Sequence, residues 1–257
     1  MAIPARLPMA PGQSSDPEAV EQALRCLPEI ELKGLFRRSS NYTFLTELRG
    51  WAGSEEWTLL AVYKPAEGES PLWDFPTGSL YRREVAAYLL AKFLGWPLIP
   101  PTVVRETAPH GVGALQMFVE AQPRDHYLVS QGQPDQTRLQ VALFDVIANN
   151  ADRKSGHCLT DSERRVWMID HGLTFHVDPK LRTVIWDFAG QTLPSALRED
   201  LERTASSLES GELRLMLGEL LSRRELSMLR RRAAVAAAPG WEMPHPTSAW
   251  SVPWPPV

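Results

Sequence analysis

Two aspartates, Asp152 and Asp170, stand in polar segments on either side of a run that is typical of a β-hairpin. They belong to the stretch at residues 149–175, which reads NNADRKSGHCLTDSERRVWMIDHGLTF. Phosphoryl transfer from ATP uses one carboxylate to orient the nucleophile and a second carboxylate to hold a metal ion. The two aspartates therefore favour ATP-dependent phosphoryl transfer.

The loop that carries Asp152 also contains the cations Arg153 and Lys154 and the imidazole of His157. A catalytic aspartate accepts the proton of the nucleophile or orients it, and a neighbouring cation balances the charge of the transferred phosphate. We therefore predict catalytic roles for Asp152, Arg153 and Lys154. The alternative is an ordinary turn aspartate whose carboxylate is satisfied by the local backbone.

Asp170 follows the apolar run at residues 166–169 and precedes His171 and Gly172. A carboxylate at the end of a buried strand needs a partner, and a magnesium ion is a suitable one. An Asp-x-Gly turn without a ligand is the alternative. The pairing of Asp170 with Asp152 across a hairpin favours the metal site.

Three further groups upstream carry suitable chemistry. Lys64 ends a predicted strand and Glu84 lies on the next predicted helix, so the two can form an ion pair that aims the ammonium at ATP phosphates. The alternative is a surface pair that contributes less than about 1 kcal/mol. Ser39, Ser40 and Asn41 lie between two predicted strands and can present backbone N–H groups and hydroxyls to phosphate, although the turn is not glycine-rich.

The elements that must position these groups follow from periodicity and turn signals. Residues 1–16 are rich in Pro, Ser and Gly and are predicted to be disordered. Residues 17–120 are predicted to form an α+β lobe. Its predicted helices are residues 16–27 and 80–94, and its predicted strands are residues 30–37, 42–48, 56–63, 102–105 and 114–120.

The second lobe, residues 121–257, is predicted to be mainly helical around the central hairpin. An apolar helix face precedes Asn149, and further helices are predicted at residues 195–206, 212–221 and 223–237. Ser222 and Glu225 have capping-box spacing at the start of the last helix. The Pro- and Trp-rich tail is neither helix nor strand, and its indoles (Trp241, Trp250 and Trp254) are predicted to pack back onto this lobe.

Composition excludes several other classes of protein. The 257 residues carry a net charge of -4, which gives no reason to expect nucleic acid as the main partner. Cys26 and Cys158 suggest neither a zinc site nor a disulfide framework, and no signal peptide or apolar membrane span is visible, so we expect a cytoplasmic protein. Peripheral contact with anionic lipid through the arginines of residues 223–232 is possible, but a solvated helix face is favoured.

The order of these elements and motifs resembles the protein-kinase-like superfamily. The resemblance is greater to its atypical branch, the phosphatidylinositol 3-/4-kinase-like and HipA-type kinases, whose catalytic loop reads Asp-Arg-His-x-x-Asn and here corresponds to residues 152–157, DRKSGH. Over residues 30–255 the chain is similar to a family of small actinobacterial proteins identified as phosphatidylinositol 3-/4-kinase-like. The phrases that carry this similarity are AVYKPAEGESPLWDFPTGSLYRREVAAYLLAKFLGWPLIPPTVVR, NNADRKSGH and VIWDFAGQTLP.

The resemblance implies a two-lobed, protein-kinase-like α+β fold, with an antiparallel sheet plus a helix in the first lobe and a mainly helical second lobe. It implies an ATP site in which Lys64 binds the phosphates and Glu84 holds Lys64. It also implies that residues 116–120 link the lobes and that the backbone of Gln116, Phe118 and Val119 meets the adenine.

In the second lobe the resemblance implies that Asp152 is the catalytic aspartate and Asp170 a metal ligand. His157 or Asn150 would complete the metal site. His157 stands where the wider superfamily has a metal-binding Asn, and an imidazole prefers manganese or a later transition metal to magnesium more than an amide does. The implied cofactors are therefore ATP and Mg²⁺ or Mn²⁺.

The sequence thus predicts an ATP- and divalent-metal-dependent phosphotransferase, an atypical kinase, with a protein, a small molecule or a phosphoinositide as acceptor. Two alternatives stay open. One is a catalytically weak, nucleotide-binding pseudokinase with a regulatory role, and the other is an enzyme that transfers AMP. A small buried Cys158 is predicted beside the site, where it is also a candidate for thiol-reactive inhibition.

Overall fold

The computed structural model describes residues 16–36, 39–52, 55–121 and 135–256. The chain forms two compact units. The first unit comprises Met1–Val85 and Pro100–Phe118, and the second comprises Ala86–Ile99 and Val119–Val257. Apart from Asp16, the segment predicted to be disordered lies outside the described residues.

The first unit is built on an antiparallel sheet of five strands in the order β1-β2-β3-β5-β4. One helix, α1, packs against it, and the side chains between them form an apolar core. The bounds are α1 Pro17–Cys26, β1 Glu29–Leu35, β2 Phe44–Ala52, β3 Glu55–Pro65, β4 Thr102–Arg105 and β5 Gly113–Met117.

Polar contacts fix both ends of α1. The Asp16 side chain accepts the N–H of Glu18 at the helix start, which is the expected role of an N-cap aspartate. At the other end the Arg105 guanidinium, from β4, donates to the carbonyls of Leu24 (3.1 Å) and Leu27 (2.8 Å). These bonds satisfy carbonyls that the helix itself leaves without partners, and they tie α1 to the sheet.

Helix α2, Leu80–Leu94, has the bounds that the sequence predicts. Its residues up to Val85 belong to the first unit and those from Ala86 onward to the second. Gly95 ends the helix with φ 74°, a left-handed conformation that glycine adopts without steric penalty.

The second unit is mainly helical, with one short hairpin. Its large apolar core includes the second part of α2 and side chains from every helix that follows. The bounds are α3 Asp135–Ala148, β6 Cys158–Thr160, β7 Val166–Met168, α4 Ser195–Ser210, α5 Glu212–Gly218 and α6 Arg223–Ala237. The predicted capping box of α6 is confirmed, since Ser222 and Glu225 bond reciprocally.

The prediction for the tail tryptophans is correct only for Trp241, which packs against the core of the second unit. Trp250 and Trp254 are 79% and 89% exposed, so the prediction that they pack inward is wrong. The buried residues here are Ser251 and Pro253, and the carbonyl of Ser251 accepts the backbone N–H of Thr183.

Within the described residues, no helix combines the length and the apolar character that a bilayer crossing requires.

Candidate active site

Lys64 and Glu84 form a short ion pair in the first unit. The Nζ atom of Lys64, on β3, lies 2.5 Å from Oε1 of Glu84, on α2. The Glu84 side chain is almost fully buried, while that of Lys64 retains 19% exposure. The pair is thus more than the exposed surface contact that the sequence left open, because the carboxylate is desolvated and its position is fixed.

The local sequence explains why this pair forms. Gly113 of β5 faces the strand of Lys64, and any side chain there would collide with the carbonyl of Lys64 and the Cα of Pro65. Glu69, in the loop after β3, accepts the N–H of Tyr81 at 2.8 Å and so caps the first turn of α2. Strand and helix are therefore held where their side chains meet.

The turn at Ser39, Ser40 and Asn41 is tied to the segment that follows β3. The N–H of Ser70 donates to Oδ1 of Asn41 (2.7 Å), and the Ser70 hydroxyl donates to the carbonyl of Ser40 (2.8 Å). The Ser39 hydroxyl is 3.0 Å from that of Thr43. Asn41 thus uses its side-chain oxygen within the protein, and a phosphate-binding role for this turn stays a prediction.

Residues 116–119 differ from one another in their surroundings. Gln116 lies inside the sheet, paired with Val62 on one side and Thr102 on the other, and its amide donates to the Thr102 hydroxyl at 2.9 Å. It is therefore poorly placed to offer its backbone to adenine. Phe118 and Val119 follow the last residue of β5, where the chain passes from the first unit to the second, and stay the predicted adenine contacts.

Asp152 lies in the second unit, in the irregular segment between α3 and β6. Its backbone N–H donates to Oδ1 of Asn150 at 3.0 Å, and its carboxylate is 3.2 Å from Nζ of Lys154. Burial raises the pKa of Asp152 above its ordinary value, Lys154 opposes the rise, and the nearby charge of Asp170 adds to it. A carboxylate shifted in this direction is a better proton acceptor than an exposed one.

Asp170 follows β7 and lies beside His157. Its Oδ2 is 3.3 Å from Nε2 of His157, and its backbone has φ 62°, an uncommon conformation for a residue other than glycine. The Nδ1 atom of His157 accepts the N–H of Lys154 at 3.4 Å, which assigns the proton of a neutral ring to Nε2. The predicted metal ligands Asp170 and His157 therefore lie side by side.

The spacing of this pair fits one divalent ion. Two neighbouring ligands of an octahedral Mg²⁺, each about 2.1 Å from the ion, are about 3 Å apart, close to the separation of Nε2 and Oδ2. No group of three or more His, Cys, Asp or Glu side chains arranged for a metal occurs in the part of the chain that the structure describes.

Arg153 occupies a different place from the one that the sequence predicts for a phosphate-binding cation. Its side chain is fully buried and bonds to the Asp145 carboxylate at 3.1 Å. It also donates to the carbonyl of Ile169 at 2.8 Å and lies 2.8 Å from Nε2 of His171. Arg153 thus connects the start of the Asp152 loop to the residues on both sides of Asp170 instead of facing a substrate.

Asp145 is the centre of this buried polar network, and the sequence interpretation missed it. Besides Arg153, its carboxylate accepts from Nδ2 of Asn150 (2.9 Å) and from the hydroxyl of Thr183 (3.2 Å). Burial raises the pKa of Asp145, and these donors oppose that rise. The sequence feature that indicates this role is a single acid within the apolar run VALFDVIA, because a carboxylate on a buried helix face needs a nearby cation or hydrogen-bond donors.

Asn150 belongs to the same network. Both groups of its amide have partners, because the nitrogen donates to Asp145 and the oxygen accepts from the backbone of Asp152. These contacts support the loop, and the metal-binding role of Asn150 stays a prediction.

Cys158 is buried, as the sequence predicts, at the start of β6. Burial raises the pKa of its thiol to about 12, with Arg153 opposing the shift. A thiol in this state is protonated at neutral pH and unreactive. The structure therefore gives no support to thiol-directed inhibition at this residue.

Comparison with known sequences shows the family of this chain. No protein-family model matches it. Protein Rv2133c of Mycobacterium tuberculosis is 36% identical over 271 aligned positions, which cover 91% of this chain and 95% of that protein. This chain belongs to the family of Protein Rv2133c.

Comparison with solved structures shows the fold. The Golgi casein kinase matches with a TM-score of 0.52 at 15% sequence identity, over 86% of this chain and 73% of the kinase. The predicted fold class is thereby confirmed: the chain has an α+β, protein-kinase-like fold with a sheet-based first unit and a mainly helical second unit. At this identity the likeness concerns the fold, and function must be argued from the site.

Proposed function

We propose that this protein is an atypical kinase, an ATP- and divalent-metal-dependent phosphotransferase. The observation that carries the proposal is the arrangement in the second unit, where Asp170 faces His157 at 3.3 Å and Asp152 stands in the neighbouring loop. A metal-binding pair beside a second carboxylate is the minimum that in-line phosphoryl transfer requires.

In this proposal Asp152 orients the acceptor hydroxyl and takes its proton. The bond between the acceptor oxygen and the γ-phosphorus forms, the bond between that phosphorus and the β–γ bridging oxygen breaks, and ADP leaves. The ammonium of Lys154, 3.2 Å from Asp152, keeps the carboxylate ionised and adds positive charge near the transferred group.

Asp170 and His157 would hold the metal ion, Mg²⁺ or Mn²⁺, which neutralises negative charge on the phosphates during transfer. The imidazole ligand shifts the preference towards Mn²⁺ relative to an amide ligand. Arg153 has no direct role in the chemistry here. It positions the loop and the turn together through its bonds to Asp145 and to the carbonyl of Ile169.

In the first unit we assign Lys64 to the ATP phosphates and Glu84 to the orientation of Lys64. The support is the 2.5 Å ion pair with its buried carboxylate, since a lysine fixed in this way is preorganised for a phosphate oxygen. Phe118 and Val119 are assigned to the adenine.

The acceptor is proposed to be a hydroxyl of a protein or a small molecule. The motif resemblance points to phosphatidylinositol 3-/4-kinase-like proteins, but a net charge of -4 gives the chain no general attraction to an anionic lipid surface. Phosphoinositide is therefore the third acceptor class, to be tested beside the other two.

The proposal is tested by incubating the protein with ATP and either Mg²⁺ or Mn²⁺ and weighing protein and products by mass spectrometry. We expect ADP, together with a phosphate increment on the protein or on an added acceptor, and we expect Asp152→Asn and Asp170→Asn to abolish both. Asp178→Asn is the matched control, since Asp178 lies eight residues after Asp170, in a separate bend, and its side chain is 77% exposed. An AMP increment would instead identify an AMP-transferring enzyme.

A second candidate is a nucleotide-binding regulator without turnover. The direct contact of His157 with Asp170 favours it, because a metal ion would have to displace the proton on Nε2. ATP binding with no ADP formation in either metal, across protein, small-molecule and phosphoinositide acceptors, would support this candidate and contradict the kinase.

A further inference from the structure

A segment far along the chain, residues 251–256, is hydrogen-bonded to the loop that carries Asp152. We call this segment the strap. The backbone N–H of Ser155, three residues after Asp152, donates to the carbonyl of Pro256 at 2.9 Å. At the other end of the strap, the carbonyl of Ser251 accepts the N–H of Thr183 at 3.0 Å.

Thr183 is itself joined to the loop. It forms an isolated parallel bridge with Arg153, in which Arg153 donates to the carbonyl of Arg182 at 3.0 Å and accepts from Val184 at 3.1 Å. The Thr183 hydroxyl also reaches the Asp145 carboxylate at 3.2 Å. The strap, the Thr183 segment and the Asp152 loop are therefore joined pairwise by backbone hydrogen bonds.

The strap has an inner and an outer side. Ser251 and Pro253 are buried, whereas Val252 and Trp254 are exposed, as is Trp250 immediately before the strap. The Ser251 hydroxyl accepts the N–H groups of Thr247 and Ser248 and fixes the entry to the strap. The carbonyl of Pro256 attaches the strap to the loop and the carbonyl of Ser251 attaches it to Thr183, whereas the indole of Trp254 is exposed.

The attachment matters because Ser155 lies between two candidate site residues, Asp152 and His157. The residue is fully buried, and it begins the single-turn helix that ends at His157, which faces Asp170. A buried N–H that loses its acceptor must find water or another partner, and the local backbone shifts when it does so. A shift at Ser155 would move Asp152 on one side and His157 on the other.

We propose that the strap is a positioning element of the active site, which holds the Asp152 loop in its catalytic geometry through the carbonyl of Pro256. The inference rests on the proposed phosphotransferase function. Displacement of a catalytic group by about 1 Å lowers rates up to about a hundredfold. Loss of the strap carbonyl therefore lowers kcat. At saturating metal ion, where a weaker metal site at His157 is still filled, the KM for ATP stays nearly unchanged, since Lys64 and Glu84 belong to the first unit.

The test compares a chain that ends at Trp254 with the full chain and with full-length Trp254→Ala. Measured quantities are kcat and the KM for ATP with Mg²⁺ and with Mn²⁺, the thermal midpoint, and the hydrogen exchange rate of the Ser155 amide. For the shortened chain we expect kcat to fall by about tenfold or more, the KM for ATP to stay within about twofold, and Ser155 to exchange at least about ten times faster. Trp254→Ala should match the full chain in all of these, because its indole is exposed.

Pro256→Gly is the variant for the case in which the shortened chain does not fold. It keeps the carbonyl but loosens the backbone, so we expect a smaller fall in kcat than truncation causes and faster exchange at Ser155. A wild-type kcat in a folded shortened chain, or unchanged exchange at Ser155 in both variants, would overturn the role of the strap. Absence of turnover in the full chain would instead overturn the phosphotransferase proposal and this inference with it.

Discussion

The two groups of candidate site residues are held by different means. In the first unit, Lys64 and Glu84 are carried on a strand and a helix and are joined by one ion pair of 2.5 Å. In the second unit, Asp152 and Asp170 are carried on irregular backbone. The buried carboxylate of Asp145 accepts hydrogen bonds from Asn150, Arg153 and Thr183, and this network supports the backbone of the loop. Regular structure fixes the first group, and a polar network fixes the second.

The difference has an energetic consequence. A side chain on a regular element inherits its position from a ladder of backbone hydrogen bonds and from apolar packing, so it depends little on any one polar contact. A loop positioned by a buried ion pair depends on every member of that network, because removing one partner leaves a desolvated charge. The second unit should therefore be more sensitive to single polar substitutions than the first.

The largest effect on stability is expected for Arg153→Met. The change leaves the buried Asp145 carboxylate without its cation, and breaking such a pair costs about 3–5 kcal/mol. Urea unfolding, monitored by tryptophan fluorescence, measures this loss in the free energy of unfolding. The double variant Asp145→Leu, Arg153→Met should recover most of the loss, since no charge is then left buried. A single variant as stable as the wild type would remove the basis of the comparison between the two units.

A smaller loss is expected for Glu84→Gln in the first unit. The amide still accepts a hydrogen bond, and Lys64 retains 19% exposure through which its ammonium can reach water, so we expect a loss of about 1–3 kcal/mol. The same variant should raise the KM for ATP about tenfold or more if Glu84 holds Lys64 for the phosphates. A loss of stability larger than that of Arg153→Met would reverse the comparison.

Asp152→Asn should leave stability unchanged or raise it slightly. Below the ordinary carboxyl pKa of 3.8, Asp152 is protonated in both the folded and the unfolded chain. As the pH rises above this value the unfolded chain ionises first, because burial raises the folded-state pKa, and the folded state loses stability until it ionises too. At neutral pH the neutral Asn removes this penalty.

The measurement is the thermal midpoint of both proteins between pH 3 and pH 7. At pH 7 the midpoint of the variant should equal or slightly exceed that of the wild type, and the difference should shrink towards acid pH. A variant that is clearly less stable than the wild type at pH 7 would show that the carboxylate supports the loop structurally.

The smallest effect concerns the two thiols. Native protein treated with iodoacetamide at pH 7.5 should be alkylated at the exposed Cys26 and not at Cys158, whose pKa is raised to about 12. Mass mapping after digestion reads this directly, and both residues should react in urea. Rapid native alkylation of Cys158 would mean that the hairpin opens readily.

The sequence predicts the first unit well because its signals are local. The periodicity of α2 places Glu84 and defines the helix to its terminal residues, and Pro65 correctly indicates that Lys64 is close to a strand end. The hairpin between Asp152 and Asp170 is likewise local and is confirmed as a pair of short strands. Periodicity and turn chemistry determine such elements without knowledge of the rest of the chain.

The remainder depends on partners distant in sequence. Nothing in the local pattern indicates that Thr183 reaches Asp145 or that the carbonyl of Pro256 meets Ser155. The exposure of Trp250 and Trp254 follows from the same long-range attachment, because it decides which side of the strap faces inward. Buried polar networks and backbone-to-backbone contacts leave little trace in hydrophobic periodicity.

The central claim, that Asp152 and Asp170 act together in phosphoryl transfer, is tested most directly by the rate of ADP formation in the single variants Asp152→Asn and Asp170→Asn and in their double variant. We expect each single variant to lose at least about a hundredfold in kcat while keeping its thermal midpoint, and we expect the double variant to be no slower than the slower single one, because both residues serve one step. Wild-type rates of ADP formation in either folded single variant would contradict the claim.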